Sequence, residues 1–528
     1  MEKRIKVKQN KNILDLIKIV LQVILIISII CELIFFPSKA NFCGCIMTII
    51  CYFIFSRVFL NRKRIMEYPF SFMMFLSMFM YRYLPLLGTL LGGKPISYGM
   101  ERPIKTFTLE TLLFSISSLA YYCSYKKIKK NNVLQILLKN IGFYKDANKK
   151  VFWIMGIIGV IAKIIAFAGK NINFGALKTI LTLLQSFIYA PIIIFFPCFY
   201  NKTKIEEKRV NFKNVFVWIY LIFITILNFA ANSRNKIIAP FGIIVLLYFL
   251  YLCINNISIK KILNPQKSIP IIVIFIIIIK LLSMISDAIL ITRDIRGNVS
   301  FTQLIKETAS EIINSDKIED DKENEIFKTH NYNEGWTEEY IDNFMLNRYA
   351  NIRITDETLY LSEKVGNLGK KNMQEDLKNR IIALLPEPII NFLGLKNFDK
   401  TMYYNSRGDM LYMYSGIGNK YSIGGYRVTS HLGDGLSTFG ILYFPIQFIM
   451  FFLVFKLLNC YVYYDKEKGL VYSVFGLISI YDCLGMFRNA NGIMGEINIC
   501  LRTYWEDIFI FIIIFTIARK ISIIKIKK

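Results

Sequence analysis

Two kinds of residue in this sequence could do chemistry, one by moving protons and the other by holding an anion. One is a compact set in the segment that ends 424–435, where Arg427, His431 and Asp434 fall close together among glycines. An imidazole beside a carboxylate can take a proton from a hydroxyl, either group serving as the base or the carboxylate orienting the ring. The other is a scatter of arginines. Arg234 sits in a short turn between apolar runs, Arg488 follows another, and Arg82 lies within a third. A fixed guanidinium binds phosphate bidentately. Each has a plainer reading: Arg234, Arg488 and Arg82 can snorkel to lipid headgroups, and His431 can be a structural core residue. Arg82 is the most informative, because a cation at membrane depth is costly unless it faces a polar cavity. Within the longest polar stretch Arg293, Arg296, Arg348, Arg353 and Arg407 are further candidates, half of them explicable as solvated surface residues.

Much chemistry is excluded. No Cys/His cluster has metal-ligand spacing, no glycine-rich loop follows a strand, and Asp320-Asp321 lie in a solvated charge run. Neither a metal nor another cofactor is expected. None of the ten cysteines falls between 288 and 437, so a disulfide framework is not expected there. Cys43 and Cys45 read as small packing residues.

The elements that must position these residues are membrane helices. The chain has 528 residues, 54% of them hydrophobic, with a formal charge of +27. Apolar runs of about 20 residues recur along it, the length needed to cross a bilayer. They cover 16–36, 42–60, 68–91, 107–125, 151–168, 179–200, 215–231, 237–254, 269–285, 438–459, 470–486 and 508–518. Lys and Arg cluster in loops on alternate sides, which is the positive-inside pattern and not a nucleic-acid footprint. The expected fold is an all-α polytopic membrane protein with about twelve spans, both termini in the cytoplasm, and no cleaved leader. It divides into a membrane domain over 1–287, a large and mostly helical extracytoplasmic loop over 288–437 between the ninth and tenth spans, and a second membrane part over 438–528. The basic stretch 131–150 reads as a connector or as a helix lying on the anionic inner leaflet.

Within the loop, helical spacing is expected over 301–313, 338–350, 355–365 and 374–385, with a charged segment at 315–325. Thr355 is placed to cap the third helix, with Asp356 and Glu357 in its first turn. Residues 394–435 read as irregular but ordered, with Tyr403, Tyr404, Tyr412, Tyr414, Tyr421 and Tyr426 as faces for sugars or for packing.

Three short features resemble the Wzy-type O-antigen or oligosaccharide repeat-unit polymerase family. Asn232-Ser233-Arg234 is similar to a Ser-Arg turn common there. The run Ile381-Ile382-Ala383-Leu384-Leu385-Pro386 resembles the apolar-Pro segment late in the large loop. Ser430 to Gly440, ending Thr438-Phe439-Gly440, resembles the polar patch leading to Phe-Gly. Glu387 and Pro388 stand where that family often has an arginine. The resemblance implies an inverting, metal-independent glycosyltransferase in the cell membrane that joins undecaprenyl-pyrophosphate-linked oligosaccharide repeats on its outer face. It implies Arg234, Arg427 and Arg488, with Arg82 and Arg353, as pyrophosphate ligands and His431 or Asp434 as base. The lipid-linked oligosaccharide and membrane lipid are the implied partners, with a chain-length regulator and a flippase beside them. An O-antigen-ligase-like transferase and a lipid-linked oligosaccharide flippase remain alternative readings.

Overall fold

The structure is a computed structural model that describes residues 13–125, 131–168, 176–200, 210–230, 234–257, 331–336, 341, 346–347, 350, 352–395 and 397–523. The expected span 269–285, the helix at 301–313 and the charged run, with Arg293, Arg296, His330 and Arg348, lie outside these residues.

The fold is mostly helical, and five helices among the described residues are long and apolar enough to cross a membrane. The first is α1 (Ile13–Phe35), whose exposed face carries Ile19, Val23, Ile26, Ile30 and Ile34. An all-round apolar helix buried on one side only is what a lipid-facing helix requires. α2 (Lys39–Phe53) continues as a π-helical turn to Phe59. α3 (Pro69–Leu91) is the central post. It is buried almost throughout because Phe55, Phe59, Tyr121 and Phe455 from its neighbours stack on Phe72, Phe75 and Phe79. α4 (Pro103–Ser124) completes this core, opening with proline at its first position, where the missing N–H costs nothing.

α5 (Lys149–Ala168) and α6 (Val215–Ala230) flank a segment that departs from expectation. Residues 179–200 do not form one spanning α-helix. A helix over Ala176–Leu184 passes into 3-10 turns over Gln185–Phe195, with Pro191 inside. Proline removes one i→i−4 bond and crowds the preceding turn, so the tighter winding takes over. α7 (Arg234–Asn255) follows.

The polar segment then docks on one end of this bundle through α8 (Arg353–Lys364), α9 (Asn367–Ala383) and α10 (Arg407–Tyr414). Its clearest anchor is Asp356. Its carboxylate accepts the backbone N–H groups of Glu101 and Arg102, at 2.8 and 3.2 Å, and the Thr106 hydroxyl at 2.6 Å. Those donors stand at the start of α4, where helical N–H groups lack partners and the dipole favours an anion. Thr355 is not the cap expected of it. Ile352 occupies that position, and the Thr355 hydroxyl donates instead to Glu110 of α4. The tertiary acceptor takes the place of the local backbone donor that a cap would have served.

The helix expected from 438 starts earlier. α11 (His431–Phe439) begins under a Ser430 cap, whose oxygen accepts the Gly433 N–H at 2.9 Å. It turns at Gly440, at a φ of 57° that glycine adopts without penalty, into α12 (Tyr443–Asn459). An all-α chain was expected, yet β1 (Val462–Asp465) pairs antiparallel with β2 (Gly469–Tyr472). Asn131 and Gln135 of the basic connector bond to the backbone of this hairpin, so that stretch packs on the protein. The hairpin takes the first residues of the expected span 470–486. The rest is two short helices, Val474–Ile478 and Ile480–Gly485, parted at Ser479. Beyond lie α13 (Met494–Asn498) and α14 (Tyr504–Ile523).

Candidate functional site

Charged and polar side chains that would be costly alone in an apolar interior meet where α8 and α11 sit on α3 and α4. Arg82 of α3 is 1% exposed. Its Nη2 lies 2.7 Å from Glu110 Oε2 and its Nη1 donates to the Met78 carbonyl at 2.9 Å. The other Glu110 oxygen accepts the Thr355 hydroxyl at 2.8 Å, and that hydroxyl accepts Asn489 Nδ2 at 2.9 Å. Four elements are thereby joined through one ion pair. Charges buried this deeply persist only when paired and hydrogen-bonded.

His431 opens α11 and is also 1% exposed. Its ring stacks on Phe487, with centroids 4.7 Å apart and planes at 10°, and the Arg82 guanidinium lies 5.0 Å from that same phenyl centroid. Neither ring nitrogen makes a close hydrogen bond among the described residues. The nearest polar neighbours are Glu496 Oε1, 3.7 Å from Nε2, and the backbone of Arg488.

Asp434, one turn on, is fully buried. Oδ1 receives Arg407 Nε and Nη2 at 2.8 and 2.5 Å. Arg407 also holds Asp376 Oδ2 at 2.7 Å, the Met373 carbonyl at 2.9 Å and the Thr438 hydroxyl at 2.6 Å. Asp376 is shared with Arg380. The second Asp434 oxygen has no hydrogen-bond partner among the described residues and faces Gly492, where an added Cβ would lie 2.1 Å from it.

Glu496 of α13, also 1% exposed, closes this side. Burial pushes its carboxyl up to about 8, and the Asp434 charge acts in the same direction, against hydrogen bonds from backbone and Gln447. The Tyr443 hydroxyl is buried within the electrostatic reach of Glu496, Asp434, Glu110 and Arg82.

The other expected residues are placed as follows. Arg427 donates to Asp409 Oδ1 at 3.2 Å and the Ser422 carbonyl at 2.7 Å, with its guanidinium 4.5 Å from the Tyr412 centroid. Asp409 also accepts three backbone N–H groups of 424–427, holding Tyr426 at a left-handed φ of 53°. Arg427 therefore serves a turn. Arg353 is buried, with Nε on the Gly99 carbonyl at 3.0 Å and its guanidinium 5.5 Å from the Tyr332 centroid. Arg488 is exposed directly beyond Phe487. Arg234 begins α7, and its side chain lies outside what is described. Lys236 of the same helix and Arg488 both act on Asp482, so the start of α7 and Arg488 share one end of the bundle.

The structure thus joins Arg82, His431 and Asp434 in one cluster with Arg488 at its edge, and gives Arg427 and Arg353 local partners of their own. Sequence reading missed Glu110, Glu496, Asp376 and the role of Arg407. A signal existed for two of them, since Glu110 and Glu496 are acids in otherwise apolar surroundings. Among the described residues no group of His, Cys, Asp and Glu is arranged to hold a metal ion. No family model, no curated protein and no solved structure matches this chain.

Proposed function

We propose that the protein is a membrane-embedded, inverting glycosyltransferase. It joins undecaprenyl-pyrophosphate-linked oligosaccharide repeats into a polysaccharide on the outer face of the cytoplasmic membrane. One observation carries the reading: a polar segment is fastened onto one end of an apolar bundle by a buried network that holds an unpartnered carboxylate oxygen, with an exposed arginine at its edge. Such a junction suits a substrate with a lipid tail, a diphosphate and a sugar.

In this reading Arg488 and Arg234 hold the pyrophosphate. Their charge stabilises the diphosphate as it departs. Asp434 takes the proton of the acceptor hydroxyl through Oδ2. Arg407 on Oδ1 fixes the orientation of the carboxylate. The acceptor oxygen bonds to the anomeric carbon, the bond from that carbon to the phosphate oxygen breaks, and the lipid pyrophosphate leaves with the electron pair.

The test is a deletion strain analysed for lipid-linked sugars. Single repeats should accumulate on the outer face and long polymer should vanish. Accumulation on the inner face would support a flippase. Loss of attachment to the final acceptor, with polymer length unchanged, would support the ligase-like transferase. Arg488→Ala should lower polymer yield about a hundredfold, in the range for removing one charge-stabilising donor. Unchanged yield removes Arg488 from the site.

A further inference from the structure

His431 and Glu496 present a problem that the proposed reaction leaves open. Both are 1% exposed. The imidazole stacks face to face on Phe487, leaving no open face there. Both of its nitrogens and Glu496 Oε2 lack hydrogen-bond partners among the described residues. Buried polar atoms without partners cost stability, so a set of them gathered in one place calls for an explanation. The two side chains belong to different elements, α11 and α13, and the chain between Phe487 and Glu496 carries Arg488, Asn489 and Gly492.

We propose that Glu496 and His431 are positioning residues that work as one hydrogen-bonded pair, holding the 487–496 segment, and with it Arg488, against the site. The neutral carboxyl donates to Nε2, and Nδ1–H is then directed at the Arg488 backbone carbonyl. At 3.7 Å the first contact is longer than a hydrogen bond, and a small rotation of the Glu496 side chain brings it within bonding distance. The tautomer follows from the partner, as a histidine's second nitrogen is set by what the first one meets. This inference rests on the pyrophosphate role of Arg488.

A neutral Glu496 is what the surroundings enforce. Asp434 faces it from α11, with its charge already satisfied on one oxygen by Arg407. From α12 come Gln447 and the Tyr443 hydroxyl, and Cys500 follows on its own side. Arg82 of α3 acts on His431 and is itself neutralised by Glu110 of α4. The carboxyl, raised to about 8 chiefly by burial, is protonated at neutral pH. When it loses its proton to solvent at higher pH, the carboxylate can only accept. The imidazole proton then moves to Nε2, and the Arg488 carbonyl loses its donor.

The experiment uses the full chain in lipid nanodiscs and two readouts. The chain has two histidines, so 15N-histidine labelling gives two imidazole patterns, which His330→Gln assigns. Wild-type His431 should change from the Nδ1–H to the Nε2–H pattern with a midpoint at about pH 8, where Glu496 loses its proton. Glu496→Gln keeps a donor for Nε2 and should hold the Nδ1–H pattern throughout. In transfer assays with a synthetic lipid-pyrophosphate oligosaccharide, the wild-type KM should rise roughly tenfold above that pH while kcat changes little. Glu496→Gln should keep the low KM at all pH values, and Glu496→Ala should show the high one.

A wild-type His431 pattern that stays constant over this range overturns the pairing, as does a transition that persists in Glu496→Gln. A Glu496→Gln KM equal to that of Glu496→Ala overturns the positioning role. If the labelled histidine behaves as expected but the wild type transfers no sugar, the polymerase reading fails and the pair stands.

Discussion

Arg407 grips Asp434 through two nitrogens on a single oxygen, Nε at 2.8 Å and Nη2 at 2.5 Å, while the other oxygen has no hydrogen-bond partner among the described residues. One residue thereby fixes the angle of a carboxylate without consuming its capacity to accept a proton. The same guanidinium reaches Asp376, so α9, α10 and α11 share one buried cation.

Removing that cation should be severe. Arg407→Ala leaves Asp434 buried and unpaired and strips Asp376 of one of its two arginines, and should destabilise the protein by about 3–5 kcal/mol. Arg407→Lys should recover only part, because a single ammonium cannot repeat the forked geometry. Thermal unfolding in detergent measures both. Asp434→Asn should cost less stability than Arg407→Ala but abolish transfer.

Arg82 and Glu110 should show strong coupling. Either single alanine variant strands a charge inside the bundle. The double variant should be more stable than the sum of the singles by about 1–3 kcal/mol. A coupling energy near zero would mean the pair is solvated. Transfer should be lost in the two variants that lack Glu110, since Thr355 and Asn489 lose their anchor there.

Gly492→Ala tests the free oxygen of Asp434 directly. Its methyl would stand 2.1 Å from Oδ2, so the carboxylate or the segment must shift. Overpacking of this kind costs about 1–3 kcal/mol. Activity should fall well beyond that stability loss, measured as kcat at a temperature where the variant is still folded.

Stability should also depend on pH through Glu496. Its carboxyl is raised from 4.5 to about 8 by burial first and Asp434 second. Across that window the folded state holds a proton that the unfolded state has released. Stability is therefore full below about 4.5 and falls as pH rises through about 8. Glu496→Gln should flatten this slope in urea unfolding between those limits.

How much of this was legible in the sequence varies by residue. Apolar runs gave most of the helices, and the isolated cation Arg82 pointed to a polar interior because burial without a partner is so costly. His431 and Asp434 stood out by their setting and do meet at one cluster. Their partners did not stand out. Glu110 reaches Thr355 across two elements distant in the chain, and no local pattern encodes such a contact. Thr355 was misread for the same reason, since a hydroxyl at a helix start satisfies a local rule until a carboxylate from elsewhere competes. The hairpin over 462–472 was hidden because Lys466, Glu467 and Lys468 form a charged run between apolar segments, and only Gly469, which takes a φ of 72° in the structure, hinted at a tight turn. Residues 179–200 are apolar enough for a span, and only Pro191 and Pro197 marked the change of winding.

The contact between Asp356 and the start of α4 has a consequence for biogenesis. The ribosome releases α4 long before it reaches residue 356, so the helix must wait with its first amide protons unmatched. The end of the bundle cannot be finished by its own neighbours in translation order. A nascent chain stalled anywhere before residue 356 would hold these helices in an unsealed state open to quality-control proteases, and completing that one aspartate is what closes it.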